Sequence, residues 1–203
     1  MSCPGFALEE NVVAPMPTDE VSATEVIDIS DADLAVSEDM TFEEMVSAYA
    51  LSGGITYEEA LESFPEPAQT TSSSSAPVSY RTLTATLTVS STYKPHLEFY
   101  CEISKSGNYW GILSIYSVQL VRSYNGTSKQ FSGDISVWLR SPYQIEYVVN
   151  GDFYHNGKTT TTGSGGVEFG IDELIKLTFS ASSSTSNNHY KYFYDHKTVA
   201  YQS

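Results

Sequence analysis

From Met1 to Tyr80 the chain has no lysine and no arginine, against 16 acidic residues. From Arg81 to Ser203 nine acidic residues meet ten basic ones, so the formal charge of −15 comes almost wholly from the first 80 residues, the rest being near neutral. The ten cations are scattered. Phosphate backbones and anionic membrane surfaces are held by clustered lysine and arginine, so neither nucleic acid nor a charged lipid surface is expected as a partner. No apolar run approaches the ~20 residues that a membrane-spanning helix needs. Two cysteines, Cys3 and Cys101, are too few for a disulfide framework. No Gly-x-Ser-x-Gly elbow presents a nucleophilic serine. His96, His155, His189 and His196 lack zinc-ligand spacing. The sequence therefore offers no catalytic residue, metal ligand or cofactor motif.

What is present divides the chain into four parts. Residues 1–39 combine a small-residue start with a strongly acidic arm. Gly5-x-Ala7 fits the small-x-small pattern ahead of a signal-peptidase cut, whereas the charged start and apolar core of a signal peptide are missing; the expectation is a signal peptide truncated before Met1. The arm has like charges and little apolar surface to offset chain entropy, so it is expected to be disordered. Val21, Val26, Ile27 and Ile29 leave an edge strand as the alternative. Asp28-x-x-Asp31-x-Asp33 lacks the turn glycine and closing glutamate of a calcium loop.

Residues 40–64 carry two capping boxes, Thr41-Phe42-Glu43-Glu44 and Thr56-Tyr57-Glu58-Glu59. In each, the threonine hydroxyl takes a free helix N–H and the second glutamate reaches back. Phe42, Met45, Val46, Tyr49 and Ala50 share one face of the first helix, and Gly53-Gly54 ends it. Tyr57, Ala60, Leu61 and Phe64 share a face of the second, which Pro65 ends. Helices of ~10 residues do not persist alone in water, so the hairpin must pack on something. Residues 65–77, PEPAQTTSSSSAP, read as a Ser/Pro linker reaching at most about 40 Å.

From Val78 the apolar period becomes two. Leu83, Ala85, Leu87 and Val89 alternate with threonines; Leu97, Phe99, Cys101 and Ile103 alternate with Glu98, Tyr100 and Glu102. Similar patterns occupy 135–139 and 143–149, and further strands are expected at 167–171, 174–180 and 189–201. The run 109–122 is apolar on both faces, which suggests a central strand or a bulge. Asn125-Gly126, Asn150-Gly151 and Asn156-Gly157 read as hairpin turns. About eight short strands over residues 78–203 predict an all-β antiparallel sandwich, of jelly-roll or immunoglobulin-like type.

Candidate chemistry is sparse. Glu98 and Glu102 would face the same way about 13 Å apart on one strand, wider than the roughly 5–9.5 Å of glycosidase carboxylates. Cys101 reads as a buried apolar residue. Asn125-Gly126-Thr127 fits a glycosylation acceptor, but a hairpin turn explains it better. The Thr159–Gly166 stretch is reminiscent of pore-forming hairpins without a partner strand of that kind. Aromatics stand out: 13 of the 15 tyrosines follow residue 79. Tyr190, Tyr192 and Tyr194 would share one face of the last strand, a ladder able to stack on sugar rings or a partner's apolar surface, if its rings are not simply half-buried. Trp110 and Trp138 are expected to pack in the core or at an edge.

The string TFEEMVSAYALSGGITYEEALESF resembles the short helical segment that follows the signal peptide in exported proteins of Gram-positive bacteria. NGDFYHNGKTTTTGSGG and SNNHYKYFYDHKT look like domains of unknown function from such proteins. The resemblance implies an extracellular or cell-surface location, though the chain departs from the pattern in lacking a complete signal peptide. It supplies no catalytic residues. The expectation is a non-enzymatic binding module for an extracellular glycan or protein. An enzyme acting on extracellular polysaccharide and a secreted toxin or inhibitor are the alternatives.

Overall fold

The computed structural model describes residues 34–64, 78–107, 109–162 and 168–200. The segment around Cys3, the acidic stretch 8–33 with Asp28, Asp31 and Asp33, the Ser/Pro linker and residues 163–167 lie outside the described residues.

Both capping boxes form as the spacing dictates. Thr41 Oγ1 accepts from the Glu44 N–H at 3.2 Å while the Glu44 carboxylate accepts from the Thr41 N–H at 2.8 Å, opening helix α1 (Phe42–Gly53). Gly54, at φ 64°, ends α1, with the Ile55 N–H donating back to the Ala50 carbonyl. Thr56 and Glu59 repeat the box at α2 (Tyr57–Leu61). This second helix has five residues, not about ten. Its last turn tightens through Ser63 N–H to Ala60 O and Phe64 N–H to Leu61 O, which turns Phe64 inward. Ala60 and Phe64 are buried, whereas Tyr57 and Leu61, expected on the same face, are exposed.

The strands form an antiparallel sandwich. A four-stranded sheet runs in the order β1 (Leu34–Val36), β2 (Ser79–Thr86), β3 (His96–Ser106), β4 (Tyr109–Val121). A hairpin of β5 (Ser123–Tyr124) and β6 (Thr127–Ser128) follows, turning at Asn125-Gly126 with both φ values positive (49° and 75°). Then come β7 (Gln130–Ser141), β8 (Gln144–Tyr154), β9 (Thr159–Thr162), β10 (Leu174–Ala181) and β11 (His189–Ala200), in a five-stranded sheet ordered β11-β8-β7-β10-β9. The facing apolar rows close one core, from Leu83, Phe99 and Ile115 on one sheet to Ile135, Tyr147 and Phe153 on the other.

The acidic arm, expected to lack structure through residue 39, is joined to the sheet from Leu34 onward. Leu34–Val36 pair with Ala85–Leu83 of β2, Met40 bridges Tyr80, and Asp39 binds the side chains of Arg81 and Lys105. The first and third cations after the acidic half, Arg81 and Lys105, thus anchor its end.

Strand β4 explains its two apolar faces by bulges, not by a central position. Its register with β3 slips twice, so that Tyr116 and Leu113 are extra residues. Ile112, Ile115 and Val118 enter the sandwich core, while Tyr116 turns to the other face, under the helices. That face also carries Tyr80 and Tyr100, covered by Met45, Val46, Tyr49 and Phe64 of the hairpin. Tyr49 and Phe64 stand edge-on to the Tyr100 ring, with centroids at 5.2 and 6.2 Å. The molecule therefore has three layers: helices, four strands, five strands.

Asn150-Gly151, expected to be a turn, lies in the middle of β8, paired with Asp134 and Gly133. A Cβ on Gly151 would stand 2.7 Å from the Phe131 ring and collide with the Ser132 carbonyl oxygen. The glycine is there for close approach across the sheet, beside the Phe131, Phe153, Phe179 and Phe193 cluster. No helix among the described residues is long and apolar enough to cross a membrane.

Candidate functional site

The side chains that could carry chemistry are mostly engaged with one another. Glu98 lies beneath the end of α1, with Ser52 Oγ donating at 3.2 Å, His96 Nε2 at 3.2 Å and the Tyr100 hydroxyl donating as well. Burial pushes this carboxyl up, but the hydrogen bonds from His96, Tyr100 and Ser52 outweigh it and hold the group below the usual carboxylate range. The carboxylate stands between serine and histidine, whereas an activated serine needs the histidine in the middle. Glu102 accepts instead from Tyr116 at 2.8 Å. Each acid thus ties a tyrosine of the helix-covered face, an arrangement that docks the hairpin.

Cys101 is wholly buried, and desolvation pushes its thiol far above the usual range. The thiolate, which is the nucleophile, is suppressed there. Histidines pair separately: His189 with Asp152 at 2.8 Å, His196 with Glu146 at 2.8 Å and His155 Nδ1 with Lys129 Nζ at 3.2 Å. Among the described residues, no cluster of three histidine, cysteine or acidic side chains has the geometry to hold a metal.

The tyrosine ladder is split by a bulge. The register of β11 against β8 shifts between His189 and Lys191, which turns Tyr190 off the outward row. Its ring packs against the core beside Tyr93 at 6.0 Å, its hydroxyl meets Ser90 Oγ at 2.7 Å, and the buried Lys129 ammonium sits 3.9 Å from its ring centre. Tyr192 and Tyr194 remain outward, 54% and 57% exposed. They are two apart on one strand face, so their Cα atoms are about 7 Å apart. The Tyr192 hydroxyl donates to Asn150 Oδ1 at 2.9 Å.

The rest of this outward face is polar and tied in pairs. Cross-strand rows run from Tyr194 to Asn150, Asp134 and Thr178, and from Thr198 to Glu146, Trp138 and Leu174. Asp134 accepts from Thr178 Oγ1 at 2.7 Å and pairs with Lys176 at 3.0 Å; these contacts hold its carboxyl low. Glu146 is held low by Arg140 at 2.6 Å and by His196. Arg140 also lies over the Trp138 ring, 5.0 Å from its centre. The face therefore joins exposed aromatic rings to hydrogen-bonding groups whose charges are largely neutralised in place.

Comparison with protein-family models, with curated proteins and with solved structures returned no match.

Two contributors to this face escaped the sequence reading. Asn150 was masked by its glycine neighbour, which reads as a turn signal. Trp138 was expected in the core or at an edge, yet the alternation of Ile135, Val137 and Leu139 already obliges it to point the other way.

Proposed function

We propose that this chain is a non-enzymatic binding module, exported to the cell surface or beyond it, whose outward five-stranded face engages an extracellular glycan or protein. The observation that carries this reading is the exposed pair Tyr192 and Tyr194 beside a fixed amide, Asn150. Tyrosine offers a flat apolar ring with a polar tip at small entropic cost, which suits both sugar faces and partner surfaces. The ion pairs along the face favour a neutral, hydroxyl-rich ligand over a charged one, because the charges on display are already compensated. The export half of the proposal rests on the resemblance of the helical hairpin to segments of exported Gram-positive proteins.

A glycan array tests it. Tyr192→Ala and Tyr194→Ala are each expected to abolish retention of the protein while leaving its Tm nearly unchanged. Retention that survives both substitutions assigns the tyrosines no part in binding.

A further inference from the structure

The two ends of the sandwich differ in charge. Arg81, Lys105 and Arg140, near the end where β2 begins and β3 and β7 stop, and Lys176 in mid-strand pair with Asp39, Glu146 and Asp134. The opposite end holds Lys94, Arg122, Lys129, Lys158 and Lys191. None of these five has a carboxylate partner among the described residues. Lys94 sits in the loop from β2 to β3, Arg122 directly follows β4, Lys129 directly precedes β7, Lys158 precedes β9 and Lys191 lies near the start of β11.

Contacts draw these cations around one turn, at residues 89–93. The Tyr93 hydroxyl donates to the Arg122 carbonyl at 2.7 Å and accepts from the Lys129 N–H at 3.3 Å. Lys191 Nζ donates to the Val89 carbonyl, and Lys94 directly follows Tyr93. Lys158 is tied to the same end through Ser182, whose N–H donates to the Lys158 carbonyl while its side chain meets Gln130. Lys158 and Lys191 are exposed, and Lys94 and Arg122 are half-buried. The acids of this end are engaged elsewhere, Glu98 with His96, Ser52 and Tyr100, and Asp152 with His189.

The acidic arm enters the fold at this same end. Its first described residue, Leu34, lies opposite Ala85, beside Thr86 and His96, where the loop carrying Lys94 opens. Residues 19–33 ahead of it hold six acids, Asp19, Glu20, Glu25, Asp28, Asp31 and Asp33, and no cation. The six residues from Asp28 to Leu34 span at most about 20 Å. Four neighbouring strands are roughly 14 Å across, so the last three acids have the reach to meet the turn.

We propose that residues 19–33 lie in cis across the cationic end of the sandwich, with Asp28, Asp31 and Asp33 against Lys94, Arg122 and Lys191. Charge complementarity selects this occupant: six acids without a cation among them begin beside five cations without a carboxylate. Tethering gives the arm an effective concentration of about millimolar order, which an acidic segment of another molecule would have to exceed. Exposed ion pairs are individually weak, so the attachment is a network that salt loosens. It does not rest on the reading of the tyrosine face as a binding surface.

The test is coupling of the full chain with a carbodiimide, which joins a carboxylate to an amine already in contact with it, and mapping of the amides by mass spectrometry. Asp39 with Lys105 serves as the internal standard. Amides from Asp28, Asp31 or Asp33 to Lys94 or Lys191 are expected within single molecules. Their yield relative to the standard should fall at least about three-fold when salt shortens the screening length from roughly 20 Å to roughly 4 Å. Absence of these amides overturns the proposal, as does a yield that salt leaves unchanged. Equal coupling of the three acids to Lys176 and Lys197, away from this end, does the same. So do amides that form only between copies carrying different isotope labels, which would place the arm on a second molecule.

Discussion

Both sheets carry tyrosines on the face turned away from the shared core, and the two faces meet opposite fates. On the four-stranded sheet Tyr80, Tyr100 and Tyr116 are 5% exposed or less, roofed by the helical hairpin. On the five-stranded sheet Tyr192 and Tyr194 are more than half exposed. Tyr100 and Tyr116 both donate to glutamates, and burial pushes both phenols well above the usual range. Tyr192 donates to an amide at the surface. Chemically similar strands thus become a docking floor in one case and a displayed surface in the other, and the deciding difference is the helical hairpin of residues 40–64, which covers only one of them.

The contrast can be broken most forcefully at Tyr100. Tyr100→Ala removes a wholly buried ring that contacts Tyr49 and Phe64, and is expected to cost about 3–5 kcal/mol in urea unfolding. A loss below 1 kcal/mol would mean that the hairpin contributes little to the fold. Next in size is the acid side of the hairpin's attachment. The Glu98 carboxyl titrates in the folded protein below its ordinary value of 4.5. Its stabilisation is therefore complete above the unfolded value and is lost as pH falls through the folded one. Glu98→Gln should cost about 1–3 kcal/mol at neutral pH and should flatten the acid limb of the stability profile. An unaltered acid limb would place the pH dependence elsewhere. The smallest effect belongs to the open face: Tyr194→Ala should change stability by no more than about 0.5 kcal/mol. A larger loss would make the two faces alike.

Much of the fold was legible because its signals are local. A capping box needs only four consecutive residues, and both formed with the bonds that their spacing implies. The alternation of Leu97, Phe99, Cys101 and Ile103 put all four in the core. Errors arose where packing overruled a local preference. Asn150-Gly151 favours a turn in isolation, but in β8 the glycine admits the Phe131 ring and the asparagine serves Tyr192. The tyrosine ladder follows from strict alternation, and one bulge removed Tyr190 from it.

By itself the sequence determined where both helices start and that alternating rows such as Leu97, Phe99, Cys101 and Ile103 face inward, because caps and side-chain periodicity act over a few residues. Only the tertiary structure decided which sheet face the hairpin covers and where the register slips. Those outcomes depend on contacts between residues far apart in the chain, such as Tyr49 with Tyr100 or Ile115 with Phe169, and no local pattern encodes such a choice.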